Sequence, residues 1–351
     1  MLPAFGWQAV LTRWEFAPAV TAAVIAAGAL YLWGARRVAH RHPARPWPRW
    51  RTGLFLAGLA VVVLATQSGI GAYDEVLFWD HMIQHLMLLM IAPPLLVAGQ
   101  PFTLLLHASR NPLHTRAKRV MRSRAVTFLT WPPFGFIAYV ATVVGTHLTS
   151  LTRVIQTNPA LHNAEHVLYL AVGYLFFLPV LGREPIRWRL SYPIRILVLV
   201  LAMPVDTFTG LVLGYAGTWF ATGSTGPRPP GSPAPVEDVH WAGATMWIAG
   251  DAIMLAYIML VVLMWSRDDR TVSATSGWLE AVRKSRFDDL VAAGSPAAGS
   301  PAAGSPVPGS AAAAGAARGG IDDDEHLAAY NAYLARLHHG GDAGPGPGGD
   351  R

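Results

Sequence analysis

Two pairs of histidines share one spacing. His81 and His85 frame "HMIQH", and His162 and His166 frame "HNAEH". On a helix, residues four apart lie on one face about 6 Å apart along the axis, so each pair can present two imidazoles to one ion. Imidazole nitrogen suits copper, zinc and iron, and the chain contains no cysteine, so any metal chemistry must use histidine, methionine and carboxylate. Two pairs on neighbouring helices at one depth would give a four-nitrogen constellation. Asp80, beside the first pair, and Glu165, inside the second, are candidates for carboxylates that orient metal-bound histidines. Met82 and Met246 offer soft thioethers suited to Cu(I), and His147 and His240 are further candidate ligands. The competing expectation is interfacial packing for His147 and His240 and core packing for both methionines.

The elements that must position these residues are membrane helices. The 351 residues are 52% hydrophobic and only 14% charged, where soluble domains average about a quarter. Apolar runs of roughly 20 residues, the length that crosses a hydrocarbon core, fall at 17–35, 53–69, 81–98, 126–146, 166–181, 193–215 and 241–265. The expected fold is all-α, a seven-helix polytopic membrane bundle over 1–267. Its fourth run holds Pro132 and Pro133, and its third Pro93 and Pro94, which predict irregular or kinked helices.

Charge sets the expected orientation. The link 36–51 carries Arg36, Arg37, Arg41, Arg45, Arg49 and Arg51 without an acid, and 107–125 carries five arginines and Lys118. The alternate links contain only Arg13, Arg153 and Arg228. Basic links face the cytoplasm, so the N-terminus is expected outside, the C-terminus inside, and the six histidines named above at the outer ends of spans. The net charge of +6 therefore reflects topology and anionic lipid rather than nucleic acid. A proline-rich loop is expected over 222–241. Beyond the bundle, the thrice-repeated "AAGSP" marks a disordered cytoplasmic linker over 268–320. An amphipathic helix is expected over 321–339 and a disordered tail over 340–351.

Asp206 and Asp251 lie within the sixth and seventh runs, where an unpaired charge is expensive. They are expected to hydrogen-bond to each other or to backbone, or to line a polar path. No nucleophile stands beside a base, and no phosphate-binding glycine loop or coenzyme fingerprint occurs, so a carrier is expected rather than an enzyme.

The blocks "HMIQHLMLLMIAPPLLVAGQP" (81–101), "HNAEHVLYLAVGYLFFLPVLGREP" (162–185) and "WAGATMWIAGD" (241–251) together resemble the CtaG family of caa-type cytochrome c oxidase assembly factors, over about 15–267. That resemblance implies a seven-helix domain in a bacterial cell membrane, an assembly role, and copper delivery to the oxidase catalytic subunit. Its histidines fall on His81, His85, His162 and His166. The implied partners are oxidase subunits, the lipid bilayer and an extracytoplasmic copper chaperone. Two other classes fit the same residues. One is a haem-binding membrane redox protein with histidine axial ligands, although transmembrane transfer through two haems calls for histidines near both faces. The other is a metal or proton transporter using Asp206 and Asp251, for which no inverted repeat is evident.

Overall fold

A computed structural model describes residues 7–74, 76–215, 228–269 and 283–284. The chain divides into two units, Met1–Val282 and Arg283–Arg351. The first contains the long helices, and all secondary structure among the described residues is helical. Six helices are long and apolar enough to cross a membrane: Pro18–Arg41 (α1), Arg49–Tyr73 (α2), Phe78–Ala108 (α3), Pro159–Leu181 (α5), Tyr192–Tyr215 (α6) and Pro235–Asp269 (α7). A seventh candidate is Pro132–His147 (α4) with Leu151–Thr157, bent by 72°. Of the expected linker, helix and tail over 268–351, only Asp268 and Asp269, which extend α7, and Arg283–Lys284 fall among the described residues.

Several boundaries differ from the hydropathy reading, each for a local reason. The fourth apolar run spans 126–146, but a short helix Arg124–Leu129 ends before Trp131, which is extended, and α4 starts at Pro132. Proline disfavours helical backbone in the residue before it and suits the first helical turn. The proline-rich loop expected over 222–241 ends early, because Pro235 opens α7 with Glu237 and Asp238 in its first turn. Residues 222–227 of that loop lie outside the described residues. α5 begins at Pro159, where Asn158 accepts from the backbone N–H groups of Ala160 and Leu161. His162, outside the apolar run 166–181, is therefore inside the helix together with His166.

α3 is the central helix: 72% of its apolar window is buried, against 17% for α1. Its neighbours are α2, α5 and α7, and α4 and α6 complete a ring in the order α3, α5, α4, α6, α7. α1 packs outside that ring on α2 and the end of α3. Pro93 and Pro94 shape α3. Lacking N–H groups, they leave the carbonyls of Leu89 and Met90 without helical partners, and the helix widens to a π turn over Met87–Ile91. The Tyr257 hydroxyl of α7 donates to the Met90 carbonyl at 2.7 Å. Gly173 of α5 approaches the Leu89 carbonyl so closely that a Cβ there would sit 2.2 Å from it. The π turn thus joins three helices just below the histidines.

Two carboxylates tie loose ends of this frame. Asp238 of α7 accepts from the backbone N–H groups of Phe78 and Trp79 at 3.1 and 3.0 Å, capping α3, and pairs with Arg228 at 2.8 Å. At the opposite end, Glu184 accepts from the N–H groups of Phe102 and Thr103 and from the Thr103 hydroxyl, joining the α5–α6 link to α3.

Candidate metal centre

Helix alternation puts His81, His85, His147, His162 and His166 at the end of the bundle opposite the arginine-rich links. α3 and α5 lie side by side there, and the rings of His81 and His162 stack with centroids 5.3 Å apart. The donor atoms nevertheless divide into two groups, each of two histidines and one carboxylate. His81 and His85 converge with Glu165, and His162 and His166 with Asp74, the ligand atoms of each group lying within 4.8 Å of one another. The expected four-nitrogen arrangement is therefore replaced by two carboxylate-bearing sets. The cause is helical: residues 162 and 166 face the α2–α3 link that carries Asp74, while Glu165, about 100° around α5 from its neighbour, faces α3.

In the first group all three residues are buried. His81 Nε2 and His85 Nε2 lie 3.9 and 3.5 Å from Glu165 Oε2. The neighbouring bonds assign the protons. His147 Nδ1 is 2.8 Å from the Val143 carbonyl, which only accepts, so Nδ1 carries the proton and Nε2 a lone pair. His85 Nδ1, 3.2 Å from that lone pair, must then donate. This leaves the His85 Nε2 lone pair aimed at Glu165, and neither Nε2 nor Glu165 Oε2 has a hydrogen-bond partner among the described residues. Two buried electron-pair donors that converge in this way suit a cation or a hydrogen-bond donor held between them. Tyr169 reinforces the arrangement by stacking on His85 with ring centroids 4.0 Å apart, and its hydroxyl lies 2.6 Å from the Thr146 oxygen.

The second group is less enclosed. His162 Nε2 and His166 Nε2 lie 3.6 and 3.9 Å from Asp74 Oδ2. Gln84, between His81 and His85 in sequence, donates its amide N–H to the Ala65 carbonyl at 2.9 Å, which turns its oxygen to His166 Nε2 at 2.8 Å.

The remaining candidates scatter. Asp80 is fully buried but belongs to neither group, because adjacent helical residues diverge by about 100° and it cannot share the face of His81 and His85. Its two oxygens have no hydrogen-bond partner among the described residues. Glu165, expected to orient ligands, stands at ligand distance itself. His147 lies behind His85 and orients it. His240 is exposed and outside both groups. Met82 and Met246 are buried and, with His85, His147, Tyr169 and Asp206, line a small cavity inside the helix ring, with room for about one water. Asp206 and Asp251 do not bond each other: the Tyr139 hydroxyl donates to Asp206 at 2.6 and 2.8 Å, and the Thr207 hydroxyl to Asp251 at 2.7 Å. Asp74, Gln84 and Tyr169 were not singled out from sequence as site residues. The signal for Asp74 was an acid in the link just before "HMIQH", and that for Tyr169 its place four residues after Glu165, on the side of α5 that faces α3; Gln84 carried none beyond lying inside that motif.

The fold and this cluster together define a multi-pass, all-α membrane protein with buried histidine–carboxylate groups at one end of its helix ring. The chain belongs to the cytochrome c oxidase caa3 assembly factor (Caa3_CtaG) family, whose model matches residues 29–268. It resides in the cell membrane. Uncharacterized proteins of Mycobacterium bovis and Mycobacterium tuberculosis are each 32% identical to it over 275 residues, covering 76% of this chain and 41% of theirs. One of Mycobacterium leprae is 29% identical over 286 residues, covering 79% and 42%. The chain therefore spans about two fifths of the length of these curated relatives. No solved structure matches.

Proposed function

We propose that this chain binds copper as cargo at His81, His85 and Glu165 and hands it to a nascent caa3-type cytochrome c oxidase, acting as a carrier rather than an enzyme. The observation that carries the reading is the convergence of the His85 Nε2 lone pair and Glu165 Oε2, both buried and unpartnered among the described residues, 3.5 Å apart. Two neutral imidazoles and a carboxylate make a donor set that copper accepts. One carboxylate also offsets a Cu(I) charge, so the loaded group is electrically neutral in a medium that penalises charge. Membership of an oxidase assembly family supports an oxidase as the recipient. The arginine-rich links support an orientation with these histidines outside the cell, where an extracytoplasmic copper chaperone can deliver.

The test is oxidase maturation in a bacterium whose own copy is deleted. Cells carrying His85→Ala are expected to make oxidase subunits that lack copper, and excess copper in the medium is expected to restore activity. Copper-replete oxidase without supplementation would contradict the proposal. Failure of excess copper to restore it would point to scaffolding.

A further inference from the structure

The second histidine–carboxylate group carries an assignment of its own. It supplies two imidazoles and the Asp74 carboxylate, and the Gln84 oxygen, 2.8 Å from His166 Nε2, adds a fourth donor already turned inward by the bond to Ala65. Resting on the copper reading above, we propose that Asp74, His162, His166 and Gln84 form a second copper site, the loading site through which the ion reaches the buried group.

Three features set the order of the two sites. The side chains of His162 and His166 are 11% and 13% exposed, against 5% and 4% for His81 and His85, so an arriving ion meets the Asp74 group first. The sites adjoin through the His81 and His162 rings, 5.3 Å between centroids, close enough for one ligand to be exchanged for another without releasing the ion to water. Each set also contains one carboxylate and two imidazoles, so transfer conserves the charge around the ion. The movement is pure ligand exchange, in which copper–nitrogen and copper–oxygen bonds at the first site break as equivalent bonds at the second form. The oxidation state does not change. One proton must shift: His166 Nε2–H, now donated to Gln84, gives way to copper. The ring, which keeps contact with solvent, then carries its single proton on Nδ1, so loading releases no net proton from this residue.

The experiment measures copper stoichiometry and stopped-flow loading of the full chain in detergent, with Cu(I) supplied from a weak chelator. Wild type is expected to bind two ions. Asp74→Asn is expected to bind one and to load it about tenfold more slowly, the scale on which weakened metal ligation is felt. Glu165→Gln is expected to bind one, loaded at the wild-type rate. His162→Gln serves as a second variant of the loading site should Asp74→Asn fail to fold, with the same expectation. A single ion in wild type, or unchanged stoichiometry and rate in both loading-site variants, overturns the second site and leaves the copper reading standing. No copper in wild type removes both.

Discussion

His147 separates a ligand role from a positioning role at the scale of single residues. If it fixes the His85 tautomer through its Nε2 lone pair, His147→Gln, whose amide oxygen can accept the same bond, should retain copper. His147→Leu should weaken binding about 10- to 100-fold, the usual cost of losing a group that orients a metal-bound histidine. Titration with a calibrated Cu(I) chelator measures both, and equal affinity in the two variants would show that His147 only packs. The spacing of the two His-x3-His pairs was readable because helical periodicity fixes which residues share a face. The division into two groups was not, since it depends on Asp74 reaching α5 from a link and on Glu165 facing a different helix from its neighbour His166. Asp80 illustrates the converse: adjacency in sequence is divergence on a helix.

Contacts between helices hold the site's elements in register. Gly173 has no room for a methyl group against the Leu89 carbonyl, so Gly173→Ala should push α5 off α3, cost about 1–3 kcal/mol by overpacking and lower copper affinity together with thermal stability. A thermal melt in detergent beside a copper titration checks this; wild-type values in both would mean α5 is not seated as described. Asp238→Ala removes the cap that α7 lends to α3 and should cost about 1–2 kcal/mol, read as a lower melting temperature. Neither contact was legible in the sequence. Proline pairs announced irregular helices, yet only packing decides that Tyr257 meets the Met90 carbonyl and that glycine meets its neighbour. Helix starts were likewise displaced from the hydropathy edges, because caps and prolines rather than apolarity begin a helix.

For the whole molecule, the all-α class and a bundle of six to seven candidate spans followed from composition and apolar runs, while the closed ring of α3, α5, α4, α6 and α7 required the structure. The absence of cysteine makes orientation testable with single introduced thiols. Ser150→Cys, at the histidine end, should react with an impermeant maleimide in intact cells, and Arg116→Cys, at the arginine end, only after permeabilisation; the reverse pattern would invert the site to the cytoplasm. Copper bound by the purified full chain under reducing conditions, in wild type beside His81→Ala/His85→Ala, decides whether the buried group holds the ion. Wild type is expected to bind copper, and the double variant to lose the ion held by the buried group. Identical copper content and affinity in the two proteins would contradict that expectation, and would leave these histidines a structural role in the bundle.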